Sequence, residues 1–255
     1  MIAMFDSGLG GLSVWRAVAR ALPDWPVTYL ADQAYLPYGS KSREELTERS
    51  LRIGHFLHQQ GAALLVVACN TATSAAVDVM RRELPIPIVA IEPAVKPAAL
   101  ASHSGRIAVL ATEFMLQSAR FRSLLQRHAG TVEVLPRPGR GWVELVEAGE
   151  LDSQAAKEKV AAVVEPLLAE HVDHIVLGCT HYPFLAPLIR ELVGPDMVLD
   201  DPADAIARRA ADLLAGMTPS QPAGYRFYTT DDPAHMSDVL PVLIGQPYPV
   251  LHAGI

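Results

Sequence analysis

This sequence has few cysteines, no long hydrophobic stretch and no run of one charge. The 255 residues include two cysteines, which lie far apart and fit neither a close-spaced metal motif nor a disulfide framework. The net charge is −7, and no basic run suggests a surface for nucleic acid or an anionic membrane. These absences predict a small-molecule ligand, with no metal, no nucleic acid and no membrane partner.

Segments that would span a membrane or direct export are also missing. The longest apolar run, around residues 62–68, is far shorter than the roughly 20 residues that a membrane-spanning helix requires. The start of the chain, Met1 to Asp6, has neither a basic region nor a cleavage site typical of a secretory signal. We therefore expect a cytoplasmic protein whose cysteines stay reduced.

The two segments that contain the cysteines resemble each other. Residues 64–73 read LLVVACNTAT, and residues 175–182 read IVLGCTHY. In each, branched aliphatic residues typical of a strand buried on both faces are followed by a small residue, a cysteine, polar side chains and a helical pattern. The repeat predicts two similar lobes that face each other across a cleft, each with one thiol at the N-terminus of a helix.

Strands and helices alternate along the rest of the chain, which is typical of parallel sheets covered by helices. The predicted fold class is therefore α/β, with two pseudo-symmetric three-layer αβα lobes, mostly parallel sheets and an active site in the cleft between the lobes. We assign residues 1–92 and 206–255 to the first lobe and residues 93–205 to the second. A late predicted strand, residues 225–230, is expected to rejoin the first lobe.

A glycine-rich turn, residues 6–11, follows the first predicted strand. Its glycines match neither the dinucleotide fingerprint nor a phosphate loop. Asp6 would repel a phosphate, whereas a carboxylate beside exposed N–H groups suits the ammonium and carboxylate of an amino acid. A turn that merely requires glycines with positive φ is the alternative interpretation. The loop at residues 37–40 is likewise either simple turn chemistry or a ligand contact.

The two thiols suggest acid–base chemistry. A helix N-terminus can lower the pKa of a thiol from about 8.5 toward neutrality. One thiolate and one thiol on opposite sides of a substrate carbon could then remove a proton from one face and return one to the other, as in a racemase or epimerase. Cys69 and Cys179 could instead be buried core residues, but their equivalent positions favour chemistry. His181 could assist a neighbouring thiolate, and Glu147 and Asp6 could relay protons.

Six segments match motifs of one known family: 6–11 (DSGLGG), 37–39 (PYG), 68–72 (ACNTA), 92–94 (EPA), 178–183 (GCTHYP) and 228–233 (YTTDDP). On these motifs the chain resembles the glutamate racemases, cofactor-independent enzymes of the aspartate/glutamate racemase superfamily, nearly from end to end. The resemblance implies interconversion of L- and D-glutamate for peptidoglycan synthesis, and hence a role in cell wall biogenesis and cell shape. It also implies that no pyridoxal phosphate, metal or nucleotide takes part, and it leaves a homodimer open.

The resemblance further implies roles for individual residues. Cys69 would remove the proton from D-glutamate and Cys179 from L-glutamate, each reprotonating the product of the other. Asp6, Glu147 and His181 would assist the thiols. The residues that the resemblance implies for substrate binding are Asp6, Ser7, Pro37, Tyr38, Gly39, Ser40, Asn70, Thr71, Thr180 and His181.

Two segments of the second lobe depart from the family pattern. Residues 112–115, Thr-Glu-Phe-Met, replace the usual Thr-x-Gly-Thr, and residues 135–142 replace the usual Cys-Pro-x-Phe-Val-Pro ahead of Glu147. These departures concern substrate selectivity and domain packing more than the chemistry, so a racemase of aspartate stays open. Two alternatives of other classes are a thiol oxidoreductase, whose usual C-x-x-C is absent, and a non-catalytic amino-acid-binding protein.

Overall fold

Two parallel β-sheets flanked by helices form the core of the computed structural model, which describes residues 1–219 and 221–255. The predicted α/β class with parallel sheets is confirmed. The chain divides into two compact units: unit 1 comprises Met1–Ile91 and Ala203–Ile255, and unit 2 comprises Glu92–Pro202.

Strands and α-helices alternate through most of the described residues. The strands are β1 (Ile2–Asp6), β2 (Val27–Ala31), β3 (Leu64–Val67), β4 (Ile88–Ala90), β5 (Arg106–Ala111), β6 (Glu133–Pro138), β7 (His174–Leu177), β8 (Val198–Asp200), β9 (Tyr225–Thr229) and β10 (Val250–His252). The α-helices are α1 (Leu12–Ala21), α2 (Arg43–Gln59), α3 (Asn70–Glu83), α4 (Val95–Ala101), α5 (Glu113–Gln117), α6 (Ala119–His128), α7 (Trp142–Glu147), α8 (Gln154–Leu168), α9 (Ala186–Val193), α10 (Ala203–Leu214) and α11 (Pro233–Ile244).

Unit 1 contains a six-stranded sheet in the order β10-β9-β2-β1-β3-β4, in which all neighbouring strands are parallel. Strands β1, β2 and β3 are buried along their whole length, as expected of aliphatic strands covered by helices on both faces. Helix α2 packs against α3, and α1 packs against α10 and α11. A capping box between Ser42 and Glu45 starts α2, with hydrogen bonds of 2.8 and 3.1 Å.

Unit 2 contains a four-stranded parallel sheet in the order β6-β5-β7-β8. This order matches β2-β1-β3-β4 of unit 1, so each unit repeats the same arrangement of its first four strands. In both cases the strand that precedes the cysteine lies inside the sheet, between the first strand of the unit and an edge strand. Because the strands are parallel, their carboxyl ends share one edge, where ligands bind in open α/β sheets.

The sequence pattern missed several elements. Strand β6 was not predicted, and it includes Pro136 and Pro138. These prolines are tolerated because β6 lies at the edge of its sheet. Two helices follow β5: Ser118 ends α5 and caps α6. Helix α11 and strand β10 were not predicted.

Candidate active site

In unit 1, the carboxyl ends of two neighbouring strands bring together three predicted site residues. Strand β1 ends at Asp6, and Cys69 follows β3, with which β1 pairs. The Cys69 thiol donates to Ser7 Oγ at 3.7 Å, and Ser7 Oγ lies 3.5 Å from Asp6 Oδ1. All three residues are buried. The Asp6 carboxyl, the Ser7 hydroxyl and the Cys69 thiol are therefore connected by hydrogen bonds.

The environment of Cys69 disfavours its thiolate. Burial of the sulfur and the nearby Asp6 carboxylate raise the pKa of the Cys69 thiol to about 12. Cys69 is the N-cap of α3, and the N–H of Ala72 donates to its sulfur at 3.4 Å, which acts in the opposite direction but more weakly. The expectation that a helix N-terminus would bring this pKa near neutrality is therefore wrong for Cys69.

Alkylation kinetics can check this raised pKa. The thiolate is the nucleophile, so we expect the reaction of Cys69 with iodoacetamide to accelerate about tenfold per pH unit from pH 8 to pH 11. Asp6→Asn should accelerate the reaction at any fixed pH in this range, because it removes the negative charge that helps to raise the pKa of the thiol. Mass spectrometry of the Cys69 peptide measures the rate, and the Cys179 peptide serves as an internal reference. A rate that levels off near pH 8 would contradict the assignment.

The glycine-rich turn packs closely around Asp6. Gly11 has φ −61°, and a Cβ there would lie 2.7 Å from the Cβ of Asp6 and 2.8 Å from Tyr29 Oη. Positive φ is therefore the wrong explanation for this glycine, which is needed for close approach instead. The Tyr29 hydroxyl donates to the carbonyl of Gly8 at 2.6 Å, and the N–H of Gly8 donates to Asp6 Oδ1 at 2.9 Å. The turn thus fixes the orientation of the Asp6 carboxylate.

Asn70 and Thr71 open helix α3 directly after Cys69, and both are buried. The side-chain nitrogen and oxygen of Asn70 have no hydrogen-bond partner among the described residues. Buried polar groups are nearly always paired, since an unmade hydrogen bond is costly. A polar ligand beside Cys69 would satisfy this amide.

The loop at residues 37–40 combines one buried residue with three exposed ones. Tyr38 is buried, and its hydroxyl donates to Asp32 Oδ2 at 2.6 Å. Burial and the Asp32 charge hold the pKa of Tyr38 well above its ordinary value. Pro37, Gly39 and Ser40 are exposed, and the Ser40 hydroxyl donates to the Pro37 carbonyl at 3.0 Å. Residues 38–40 form a 3₁₀ turn, and the first N–H groups of such a turn have no partner within it.

In unit 2, three predicted residues form a connected chain of side chains. The Cys179 sulfur lies 3.6 Å from Nδ1 of His181, and Nε2 of the same ring lies 2.6 Å from Glu147 Oε1. All three residues and Thr180 are buried. Burial alone would lower the pKa of His181, but its hydrogen bonds to Cys179 and Glu147 outweigh burial and hold this pKa well above its ordinary value. A protonated ring therefore lies beside the Cys179 sulfur.

The backbone around Cys179 differs from that around Cys69. Cys179 is followed by a 3₁₀ turn at Tyr182–Leu185 and only then by α9. The prediction that Cys179 lies at the N-terminus of an α-helix is therefore wrong. Gly178 precedes it, and a Cβ at Gly178 would lie 3.0 Å from the carbonyl oxygen of Leu110. The two thiols thus have different electrostatic partners, a carboxylate for Cys69 and an imidazole for Cys179.

The two segments that depart from the family pattern contact each other. Met115 is buried in the hydrophobic core of unit 2, and its Cε lies 3.2 Å from the position that a Cβ of Gly178 would occupy. Met115 therefore fills space beneath the end of β7. Glu113 and Arg140, one from each segment, form an exposed ion pair of 2.5 Å.

Two charged residues near the site, Asp32 and Arg49, were not predicted as functional. Asp32 directly follows β2, as Asp6 ends β1, and the buried Arg49 forms an ion pair with it at 2.6 Å. A signal for Arg49 was present in the sequence, because it lies in the same helical stripe as Leu46 and Ile53, which are buried.

Within residues 1–219 and 221–255, no group of three or more histidine, cysteine, aspartate or glutamate side chains is arranged to hold a metal ion. In the same part of the chain, no helix combines the length and the apolar character that crossing a membrane requires.

The sequence matches a known protein family and is similar to proteins of known name. The model of a family described as Asp/Glu/Hydantoin racemase matches residues 9–210. The chain is 48% identical over 248 residues to a glutamate racemase from Stutzerimonas stutzeri, covering 96% of this chain and 94% of that protein.

Two solved structures are also similar. Escherichia coli glutamate racemase, in complex with L-glutamate and the activator UDP-MurNAc-Ala, has a TM-score of 0.89 and 31% identity, with 98% of this chain and 97% of that chain covered. Glutamate racemase from Francisella tularensis, in complex with D-glutamate, has a TM-score of 0.84 and 25% identity, with coverage of 99% and 97%.

Proposed function

Since the chain belongs to the Asp/Glu/hydantoin racemase family, we propose that it is a glutamate racemase, which interconverts L- and D-glutamate. The name of the S. stutzeri relative and the glutamate complexes of two similar structures support this substrate. The observation that carries the proposal is the buried pair of cysteine groups, each beside an ionisable partner. As a racemase the protein is an isomerase, and we propose that it supplies D-glutamate for peptidoglycan synthesis in the cytoplasm.

The proposed mechanism uses the two cysteines as bases on opposite faces of one Cα. With L-glutamate, the Cys179 thiolate takes the Cα proton, the electron pair stays on Cα, and the Cys69 thiol donates a proton to the other face. With D-glutamate, the roles are exchanged. Each turnover converts one thiolate to a thiol and one thiol to a thiolate, so no oxidant, reductant or further co-reactant is consumed.

The partners of each thiol suit these roles. The protonated His181 ring, held by Glu147, can stabilise negative charge beside Cys179 or return a proton to it. Cys69 is a thiol at neutral pH in the field of Asp6, and is therefore ready to donate. The ammonium group of a bound amino acid would oppose the field of Asp6 and make proton removal by Cys69 easier.

The proposal also assigns binding roles to polar residues that follow the strands of each unit. We propose that Asp6 and Ser7 bind the α-ammonium group, and that Asn70, Thr71 and Thr180 bind the α-carboxylate. The unpaired amide of Asn70 is the strongest support for this assignment. The turn at Tyr38–Ser40 would bind the side-chain carboxylate through the main-chain N–H groups of Tyr38 and Gly39, since that of Ser40 donates to the Pro37 carbonyl at 3.4 Å.

Racemisation in D₂O tests the proposal directly. The purified protein without added cofactor should abolish the optical rotation of L-glutamate and of D-glutamate. Early product should carry solvent deuterium at Cα, while the remaining substrate carries none, because each thiol serves its own face. A matched preparation of the Cys69→Ala/Cys179→Ala variant controls for contaminating racemases.

Four outcomes would count against the proposal. Extensive proton retention in the product would indicate a single base. Faster turnover of aspartate would reassign the substrate, and binding of glutamate without any change in rotation would indicate a binding protein. Loss of free thiols during turnover would indicate thiol redox chemistry.

A further inference from the structure

The carboxylate of Asp32 is the centre of a buried hydrogen-bond network in unit 1. Asp32 is completely buried, and it accepts hydrogen bonds from three separate segments. The Tyr38 hydroxyl donates to Oδ2 at 2.6 Å, and the Thr230 hydroxyl donates to Oδ1 at 2.9 Å. Arg49 donates from Nε at 2.9 Å to Oδ2 and from a terminal nitrogen at 2.6 Å to Oδ1. A single carboxylate thus connects the turn at residue 38, helix α2 and the end of β9.

Arg49 holds this carboxylate with two of its nitrogens and reaches another segment with the third. Its second terminal nitrogen donates to the main-chain oxygen of Ile255 at 2.9 Å, and the centroid of the Tyr35 ring lies 4.0 Å from the guanidinium carbon. The Arg49 side chain is 3% exposed. A buried ion pair is tolerated only when its hydrogen bonds are satisfied, and the planar fork of arginine achieves this where the single ammonium of lysine cannot.

The network also adjoins the residues assigned to the substrate. The N–H of Asp32 donates to the carbonyl of Asp6 at 2.9 Å. Tyr38 begins the 3₁₀ turn whose N–H groups are assigned to the side-chain carboxylate, and its hydroxyl is held by Asp32. The orientation of this turn therefore depends on Asp32, and the orientation of the Asp32 carboxylate depends on Arg49.

We propose that Arg49 is a positioning residue for substrate binding: through Asp32 it fixes the turn at Tyr38–Ser40 in the geometry that accepts the side-chain carboxylate of the amino acid. Arg49 itself does not contact the substrate. This inference rests on the proposed function, because it assigns the turn to an acidic side chain. It adds a buried charged pair to the residues that determine substrate affinity.

Arg49→Lys tests the proposal, because lysine keeps the charge and loses the fork. We expect KM for glutamate to rise roughly 10- to 100-fold. The value of kcat should stay within about twofold of the original, since the turn at Tyr38–Ser40 binds the side-chain carboxylate equally in the substrate and in the transition state. Tyr38→Phe, which removes only the hydroxyl bond to Asp32, should also raise KM. In the double variant the two effects should combine to less than their product, because both act on the same turn.

A matched control is available in the same unit. Arg20 forms an exposed ion pair with Asp204 at 2.6 Å, and Arg20→Lys should leave KM unchanged. A merely structural role for Arg49 predicts a smaller folded fraction with normal KM, and this result would overturn the proposal. An unchanged KM for Tyr38→Phe would also overturn it, and this variant keeps the test valid if Arg49→Lys does not fold.

Calorimetric titration with D-glutamate separates this inference from the proposed function. Arg49→Lys should weaken D-glutamate binding by the same factor as it raises KM. If the wild-type protein binds glutamate without racemising it, the proposed function fails while the titration still tests Arg49. If Arg49→Lys binds as tightly as wild type, the positioning role fails whatever the activity.

Discussion

Cys69→Ala and Cys179→Ala should each lower kcat for glutamate racemisation by roughly 10⁴-fold, because each removes one of two proton-transfer groups that must act together. The loss should appear in both reaction directions, since in the proposed mechanism each thiol is the base for one enantiomer and the acid for the other. Polarimetry with either enantiomer measures the effect.

Stability measurements distinguish this loss of chemistry from unfolding. Both cysteines are buried, yet removal of a single sulfur should cost only about 1 to 2 kcal/mol of unfolding free energy. Urea denaturation followed by circular dichroism should therefore show a native-like transition for each variant. If either variant keeps near-normal turnover, that cysteine is only a core residue.

Trp142→Ala should have the largest effect on stability, lowering the free energy of unfolding by about 3 to 5 kcal/mol. Trp142 is completely buried at the start of α7, and its ring packs edge-on against Tyr182 with 4.7 Å between ring centroids. Its indole N–H donates to the carbonyl of Lys159 at 3.1 Å. Tyr182 directly follows His181, so the cavity should also loosen the Cys179 loop and lower kcat.

Two milder variants make this prediction specific. Trp142→Phe keeps an aromatic ring against Tyr182 and loses the hydrogen bond, so we expect a cost of about 1 to 2 kcal/mol. Val143→Ala removes a half-buried side chain from the same helix and should cost about 1 kcal/mol or less. Urea denaturation midpoints compare the three variants, and an unchanged midpoint for Trp142→Ala would contradict the packing described for this departure from the family pattern.

Much of the site follows from local sequence. Aliphatic runs that end in Cys69 and Cys179 predicted two buried strands, and the structure places both cysteines at the carboxyl edges of parallel sheets. Asp6 and Ser7 were likewise placed beside a strand end, where they contact Cys69. These features are readable because burial on both faces of a strand leaves a continuous apolar run, and parallel topology then brings the residues after neighbouring strands together.

Other features depend on partners that are distant in the chain. Strand β6 was missed because its prolines are acceptable only at a sheet edge, which the local pattern does not specify. The Arg49 network joins residues separated by 17 positions at Asp32 and by 206 at Ile255. The helix-start position of Cys69 suggested a lowered pKa, but the fold adds burial and the charge of Asp6, and these outweigh the helix N-terminus.

By itself, the sequence determined the alternation of strands and helices along most of the chain, the two thiols and the family resemblance, because periodicity and short motifs are properties of neighbouring residues. Only the tertiary structure decided which charged groups face each thiol, which carboxylate holds Tyr38, and why Gly11 must lack a side chain. Those outcomes depend on distances between separate strands and helices and on the exclusion of water around them. Neither quantity is a property of any one segment of the chain.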